Sequence, residues 1–262
     1  MSKIFISGSR GELGSYLHDY FGATHKVFIE SDSLSMCDVF IHCLSRHPTQ
    51  SDADNLFSNI TKSKELISNF NTSEEKKLFI FMSSVSLYDF SSRYINENSP
   101  LLLDNIYKMS KAHIEQYIRS TQMDYLILRL PGLLEKNQAR SLMSRLFTKL
   151  SRGDRIVIEE NPSFTFFVSM ERVAHYCTKA IENFRTEHMS LKSTLNCFEN
   201  GNASLSDLVF AIRDELCSTS EVIVEPVGKS HVLSNTTDPF ELANWDSVDL
   251  TRSWVKKRSQ NE

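Results

Sequence analysis

One stretch decides the fold of this chain: Lys3-Ile4-Phe5-Ile6-Ser7-Gly8-Ser9-Arg10-Gly11-Glu12-Leu13-Gly14. Its apolar first half is typical of a buried β-strand, and a helical pattern begins near Glu12. Gly8 permits a tight turn, Gly11 lets the backbone approach a pyrophosphate, and Gly14 lets the helix pack closely on the strand. The first N–H groups of that helix then face the phosphates. The G-x-x-G-x-x-G spacing therefore predicts a nucleotide-binding turn.

Apolar runs and amphipathic runs alternate along the rest of the chain. Near-continuous apolar strands separated by helices indicate a parallel sheet that is covered on both faces. Strands are predicted over 25–30, 38–43, 78–82, 125–130, 155–159, 163–169, 194–198 and 221–227. Helices are predicted over 12–22, 52–70, 105–120, 142–150, 170–183 and 205–216.

These patterns predict an α/β protein with a doubly wound parallel sheet. We place the nucleotide-binding domain at 1–132, with returning elements near 163–200. Residues 133–262 are expected to form mainly a smaller lobe that binds substrate and is interleaved with the sheet.

Composition narrows the classes of function. A formal charge of −4 over 262 residues shows no basic excess, which argues against an extended nucleic-acid surface. No apolar run approaches the ~20 residues that cross a bilayer, and no signal-peptide pattern opens the chain. The five cysteines form no C-x-x-C pair, and the eight histidines show no metal-ligand spacing. We expect a cytoplasmic protein with reduced thiols, no metal, and no membrane or nucleic-acid partner.

Two polar motifs follow the glycine turn. In Tyr107-Lys108-Met109-Ser110-Lys111, helical spacing brings the Tyr107 phenol and the Lys111 ammonium to one face. A fixed ammonium stabilises phenolate and lowers a pKa that is otherwise near ~10. The motif Ser83-Ser84-Val85-Ser86-Leu87-Tyr88 follows the strand over 78–82, at the strand end where parallel sheets bind ligands. Alone, each motif is also compatible with a solvated helix or a capped loop.

Together the three motifs resemble those of the short-chain dehydrogenase/reductase superfamily. They are closest to its extended branch, the nucleotide-sugar epimerase/dehydratase family. The stretch from Asp38 to Cys43 is similar to the family's D-V-V-I-H-L strand, and Phe81 to Tyr88 is similar to its F-x-S-S-x-x-x-Y. Leu128 to Gly132 resembles the strand end beside the nicotinamide, and Phe164 to Ala174 resembles F-x-x-V-x-V-x-D-V-A. The resemblance extends to about residue 215 and implies a Rossmann-type fold and a nicotinamide cofactor.

The resemblance also implies residue roles. Tyr107 corresponds to the general acid/base, Lys111 to the residue that lowers its pKa and binds the nicotinamide ribose, and Ser84 to the hydroxyl that polarises the substrate. The implied chemistry is hydride exchange at the nicotinamide, coupled to proton transfer by the phenol. The implied cofactor-binding residues are Gly8, Arg10, Gly11, Glu12, Leu13, Gly14, Glu30, Cys43, Leu44, Asn59, Tyr107, Lys111 and Pro131. The candidates for substrate contact are Ser84, Ser86 and Arg152.

The chain departs from the family pattern in two places, one that narrows the implied reaction and one on the adenosine side of the cofactor site. Sugar dehydratases have an Asp-Glu pair where this chain has Val85 and Ser86, so dehydration is not expected. Epimerisation or net reduction of a nucleotide-linked keto-sugar remains. The short segment between Glu30 and Asp38 also leaves no room for the helix and strand that the family has on the adenosine side.

The identity of the dinucleotide depends on two side chains. Glu30 can accept a hydrogen bond from a ribose 2′-hydroxyl, which favours NAD. Arg10 can pair with a 2′-phosphate, which favours NADP(H). The resembling reductases that carry G-x-R-G-x-x-G use NADP, so we favour NADP(H) over NAD.

The alternative is a catalytically inactive sensor or regulator that binds the cofactor. Ser84, Tyr107 and Lys111 are all retained, and a sensor needs no proton relay, so we favour an enzyme. Relatives commonly form homodimers through helices equivalent to 52–70 and 105–120, and we expect the same here.

Overall fold

The computed structural model describes residues 1–29, 34–44, 53–72, 75–134, 141–160, 167–186, 190–199, 203–226, 232–236, 240 and 246–260. The strands are Lys3–Ser7 (β1), Lys26–Phe28 (β2), Val39–His42 (β3), Leu78–Ser84 (β4), Tyr94–Ile95 (β5), Asp124–Leu130 (β6), Gly132–Leu134 (β7), Ile156–Glu160 (β8), Phe167–Ser169 (β9), Lys192–Asn196 (β10), Val222–Pro226 (β11) and Val232–Leu233 (β12). The helices are Glu12–Gly22 (α1), Ala53–Phe70 (α2), Ile106–Arg119 (α3), Leu142–Ser151 (α4), Met170–Thr186 (α5), Leu205–Glu215 (α6) and Ser247–Ser259 (α7).

Six parallel strands form the main sheet, in the order β10-β6-β4-β3-β1-β2. The chain leaves β1 toward β2 and then returns to the other side of β1 at β3, so the direction of winding reverses between β1 and β3. Ligands of doubly wound sheets bind outside the strand ends at such a reversal. The prediction of a doubly wound parallel sheet is confirmed.

The sheet is short on the side of β2. This strand has three residues, and it is the edge of the main sheet in the part of the chain that the structure describes. Among the described residues between β2 and β3, Leu34–Met36 forms a 3-10 turn. The arrangement agrees with the expectation that the family's additional helix and strand are missing here.

Alternating side chains of the buried strands contribute to two apolar layers, one on each face of the main sheet. In β4, Leu78, Ile80 and Met82 belong to the layer that contains α1 and α5. Phe79 and Phe81 point to the opposite face and pack with residues of α2 and α3. Every residue of β4 and β6 except Ser84 is buried, and the central part of each strand is a continuous apolar run, as is typical of a parallel sheet that is covered on both faces.

The second half of the chain builds a separate apolar cluster. Helices α4, α6 and α7 pack there around β8 and β11, which pair in parallel. Trp254 of α7 lies against Phe147 of α4, with ring centroids 5.7 Å apart in an edge-to-face arrangement. Strand β10 returns to the main sheet beside β6. Helix α7 and the short strands β5, β7 and β12 lie outside the elements predicted from sequence, whereas β9 falls within the strand predicted over 163–169.

The glycine turn has the geometry that its spacing predicts. Gly8 has φ +73°, in the left-handed region that favours glycine, and its carbonyl oxygen accepts a hydrogen bond of 2.9 Å from the Gly11 N–H. A Cβ on Gly14 would lie 2.2 Å from the Gly8 carbonyl oxygen. Helix α1 can therefore approach β1 only if residue 14 has no side chain.

We predict that Gly14→Ala destabilises the fold by about 1–3 kcal/mol, because the new methyl group overlaps backbone atoms that cannot move aside cheaply. Urea unfolding at neutral pH measures the change in the free energy of unfolding. Gly22→Ala is the matched control, since a Cβ at Gly22 of the same helix meets no atom within 4 Å among the described residues. Equal stability of the two variants would contradict the close approach of α1 to the turn.

Candidate functional site

The C-terminal ends of the central strands meet at one edge of the sheet. The glycine turn follows β1, Cys43 and Leu44 follow β3, Ser84 ends β4, and Pro131 follows β6. A Cβ on Gly8 would lie 2.9 Å from the Leu44 backbone nitrogen, so the turn packs directly on the end of β3. The fold thus collects residues from four separated parts of the sequence at one edge.

The glycine turn leaves room for a phosphate group. Gly11 is the N-cap of α1 and provides no side-chain cap for its first turn. Among the described residues, a Cβ on Gly11 would contact only the Gly8 carbonyl oxygen, at 3.2 Å. The surface above Gly11 is therefore open to an approaching ligand. A dinucleotide pyrophosphate fits this arrangement because the helix N-terminus offers N–H donors and the positive end of its dipole.

His42 stabilises the base of the turn from inside the protein. Its Nδ1 lies 2.6 Å from the Ser7 hydroxyl oxygen, and its Nε2 lies 3.0 Å from the Ser63 hydroxyl oxygen on α2. Burial lowers the pKa of His42 to about 3, so the ring is neutral at physiological pH. His42 thus links β1, β3 and α2 through two hydroxyl groups.

The Tyr107 and Lys111 side chains share one face of α3. Asn105 caps this helix, since its side-chain oxygen accepts a hydrogen bond of 3.0 Å from the Lys108 N–H. The Lys111 ammonium lies 6.0 Å from the centre of the Tyr107 ring and 4.7 Å from the centre of the Phe81 ring. It donates a hydrogen bond of 2.6 Å to the Met82 carbonyl oxygen.

The Lys111 ammonium is buried and keeps its charge near neutral pH. Burial lowers the pKa of Lys111 to about 8, and the nearby Glu115 carboxylate opposes that effect. At pH 7 the side chain is therefore mostly protonated. A buried cation close to a phenol is the arrangement that favours phenolate.

Ser84 lies at the junction of β4 with a short 3-10 turn, Val85–Leu87. Its hydroxyl oxygen accepts a hydrogen bond of 3.2 Å from the Ser86 N–H and lies 2.9 Å from the Ser86 hydroxyl oxygen. Both side chains are half-buried. The preceding hydroxyl, on Ser83, is buried and donates to the Glu115 carboxylate, so it is not available to a substrate.

Other residues singled out in the sequence have different environments. Burial raises the pKa of Cys43 to about 12, so its thiol stays protonated. Arg10 is exposed within the turn, and Asn59 is half-buried on α2. Arg152 is exposed at the C-terminal end of α4, and no described contact brings it to the other candidates. Glu30 lies outside the described residues.

Sequence reasoning missed a buried ionic cluster beside this edge. The Glu115 carboxylate, one turn beyond Lys111, pairs with Arg129 of β6 at 2.7 Å and with Arg119 at 2.9 Å. The available signal was a glutamate on the same helical face as Tyr107 and Lys111, together with an arginine inside the apolar run of β6.

Among the described residues, no cluster of three or more histidine, cysteine, aspartate or glutamate side chains is arranged to hold a metal ion. Within the same residues, none of the helices combines the length and apolar character needed to cross a bilayer.

The doubly wound sheet and the glycine turn after its first strand define the class of dinucleotide-binding α/β proteins. The sequence profile of the NAD dependent epimerase/dehydratase family matches residues 4–189, and the chain belongs to that family. This is a family of NAD(P)-dependent enzymes that act on nucleotide-sugars. A comparison with curated protein sequences found no match.

Solved structures show the same fold at low sequence identity. UDP-N-acetylglucosamine 4-epimerase from Bacillus cereus matches with a TM-score of 0.80 and 14% identity, over 98% of this chain and 99% of that chain. RMD from Pseudomonas aeruginosa, complexed with NADPH, matches with a TM-score of 0.78 and 14% identity, over 100% of both chains. UDP-glucuronic acid 4-epimerase from Bacillus cereus, in complex with NAD, matches with a TM-score of 0.76 and 16% identity, over 99% of this chain and 98% of that chain.

The neutral state of His42 predicts a loss of stability in acid. In the unfolded chain a histidine titrates near ~6.5, so between that pH and about 3 the unfolded state binds a proton that the folded state excludes. The free energy of unfolding that His42 contributes is complete above pH ~6.5 and is lost as the pH falls. Urea unfolding at pH 7 and pH 5 should therefore show a decrease that is about 2 kcal/mol larger in the wild type than in His42→Gln.

The exposed His113 on α3 provides the control for this experiment. His113→Gln should keep the pH dependence of the wild type. The account of His42 is contradicted when His42→Gln loses as much stability between pH 7 and pH 5 as the wild type does.

Proposed function

We propose that this protein is an NAD(P)-dependent oxidoreductase or epimerase that acts on a nucleotide-linked sugar, by 4-keto reduction or by epimerisation. Ser84, Tyr107 and Lys111 form its catalytic set. The observation that carries the proposal is the buried Lys111 ammonium, which lies beside the Tyr107 ring and is held at the end of β4, where Ser84 follows. Solved structures with this fold include UDP-sugar 4-epimerases, which supports the substrate class.

The chemistry divides between the chain and its cofactor. A bound nicotinamide supplies hydride exchange. Lys111, positively charged at pH 7, lowers the pKa of the Tyr107 phenol so that this group can take up or release the proton of a sugar hydroxyl. The Ser84 hydroxyl donates a hydrogen bond to the same sugar oxygen and polarises it. Ser86 orients the Ser84 hydroxyl through their 2.9 Å contact and is close enough to contact the substrate as well.

The cofactor would be held by the glycine turn and by the strand ends around it. Gly8, Gly11 and Gly14 let its pyrophosphate approach the N-terminus of α1, formed by Glu12 and Leu13. Cys43, Leu44 and Pro131 lie at the neighbouring strand ends, and Asn59 lies on the adjacent helix. The exposed Arg10 guanidinium can pair with a 2′-phosphate, and we therefore favour NADP(H) over NAD.

The proposal also covers a further substrate contact, the oligomeric state and the cellular location. Arg152 is a candidate for contact with the nucleotide diphosphate of the substrate. Helices α2 and α3 lie side by side on one face of the sheet, which supports a homodimer that pairs these helices. The five cysteines are free thiols, in keeping with a cytoplasmic location.

A turnover assay tests the proposed function. UDP-, dTDP- and GDP-linked sugars are supplied with NADPH or NADH, and cofactor oxidation at 340 nm and sugar epimers are measured. We expect turnover with at least one substrate and a lower Kd for NADPH than for NADH. Tyr107→Phe should reduce kcat by about 10²–10⁴-fold, because the proton donor is lost, and should leave the Kd for the cofactor nearly unchanged.

Tyr94→Phe is the control, because Tyr94 is exposed on β5 and has no part in the proposed chemistry. Wild-type rates in Tyr107→Phe would overturn the catalytic assignment. Cofactor binding by the wild type without turnover of any sugar would favour the sensor. Equal Kd values for the two cofactors would remove the argument from Arg10.

A further inference from the structure

Three polar side chains occupy one row across neighbouring strands. Ser83 of β4 lies opposite Arg129 of β6, and Arg129 lies opposite Asn196 of β10. Tyr88 covers this row: its ring lies 4.8 Å from the Arg129 guanidinium, and its hydroxyl donates a hydrogen bond of 2.6 Å to Asn196. The row lies at the same edge of the sheet as the proposed site.

The Glu115 carboxylate joins this row to α3. Its Oε1 accepts hydrogen bonds from the Ser83 hydroxyl at 2.6 Å and from the Arg129 Nε at 3.0 Å, and its Oε2 accepts one from the Arg129 Nη2 at 2.7 Å. Burial alone would raise the pKa of Glu115, but the hydrogen bonds and charge of Arg129 outweigh that effect and lower it. The carboxylate is therefore ionised and completely enclosed.

Helix α3 is thus bound to the end of β4 at two successive residues. Lys111 donates to the Met82 carbonyl oxygen, and one helical turn later Glu115 accepts from the Ser83 hydroxyl. The next residue of β4 is Ser84. Tyr107, Lys111 and Glu115 follow one another at four-residue spacing, so all three face the same strand end.

We infer that Glu115 is a positioning residue of the proposed site. Through Ser83 and Arg129 it fixes the end of β4 relative to Tyr107. The Ser84 hydroxyl and the Met82 carbonyl that binds Lys111 are thereby held in place as well. This inference rests on the proposed function, since it assigns a role toward the proposed catalytic set. Glu115 does not touch a substrate in this role, because Ser83 and the two arginines occupy its oxygens.

The energetics favour a geometric role over a purely stabilising one. A buried ion pair gains little stability over apolar side chains of the same volume, because burying the charges costs about as much as their attraction returns. Hydrogen bonds to an ionised group are, in contrast, strict in distance and direction. Small displacements of a catalytic group are costly, since a 1 Å shift can reduce a rate by about 10²-fold.

The fourth contact of the carboxylate offers a matched control. Arg119 reaches Glu115 from the outer side, where a cavity of about 390 Å³ separates the end of α3 from residues 97–101. The described hydrogen bonds of Arg119 go to the carboxylate and to Thr194, and none of them goes to β4. Ser83 and Arg119 thus bind the same group, and only Ser83 connects it to the strand that ends in Ser84.

The experiment compares Ser83→Ala with Arg119→Gln. In Ser83→Ala the carboxylate keeps both arginines, so the fold should persist while the strand end loses its attachment. We expect kcat to fall by about ten-fold or more in Ser83→Ala, with KM and the cofactor Kd within about two-fold of the wild type. Arg119→Gln should keep the wild-type kcat.

A second readout does not require turnover. Absorbance at 295 nm follows tyrosine ionisation, and the difference between each protein and its Tyr107→Phe version isolates Tyr107 among the eight tyrosines. We expect the apparent pKa of Tyr107 to be higher in Ser83→Ala than in the wild type, because the carbonyl that holds Lys111 is displaced. The neighbouring His42 and Cys43 stay uncharged between pH 5 and 10, so they do not contribute to this change. Lys111 titrates in the same range, with a pKa of about 8, so the apparent pKa belongs to the coupled Tyr107–Lys111 pair.

The two readouts separate the inference from the proposed function. If the wild type is inactive on every sugar, the proposed function is wrong. The titration of Tyr107 can still test the positioning role of Glu115 in that case, because it requires no turnover. A raised Tyr107 pKa in Ser83→Ala but not in Arg119→Gln supports the positioning role. Identical titrations in all three proteins overturn it, as does wild-type kcat in Ser83→Ala or an equal loss of kcat in both variants.

Discussion

The contact between the Lys111 ammonium and the Met82 carbonyl oxygen, 2.6 Å long, sets the position of α3 on the sheet. A buried ammonium must find an acceptor or lose its charge, and the last carbonyl groups of a parallel strand are suitable acceptors at this depth. On α3, Tyr107 lies one helical turn before Lys111 and Glu115 lies one turn after it. Both the proposed proton relay and the Glu115 cluster therefore depend on this one attachment.

A second constraint acts at the neighbouring strand. Helix α1 approaches β1 so closely that residue 14 cannot carry a Cβ, and Gly8 packs on the backbone of Leu44. His42 secures the same region from below through Ser7 and Ser63. Because β1, β3 and β4 are adjacent in the sheet, the turn and the Tyr107–Lys111 pair lie at one edge. The fold thereby brings the glycine turn and the phenol–ammonium pair to the same edge of the sheet.

Much of this arrangement could be predicted from local sequence. The glycine spacing, the apolar runs and the four-residue interval of Tyr107 and Lys111 each express a backbone periodicity, and the structure shows the expected elements. The sequence offered a glutamate and an arginine as candidates, but their pairing with Ser83 could not be predicted, because it depends on the register between β4 and β6. That register is a tertiary property, and a glutamate on a helix otherwise indicates a solvated face.

The family and the fold do not specify which reaction this chain carries out. That depends on its own side chains, above all on whether the Lys111 ammonium lowers the pKa of Tyr107. A spectrophotometric titration of Tyr107 in the wild type and in Lys111→Met tests it most directly, and methionine replaces the buried ammonium with an apolar chain of similar shape. The account predicts a Tyr107 pKa below ~10 in the wild type and a value at least about one unit higher in Lys111→Met. An unchanged pKa in Lys111→Met would contradict it.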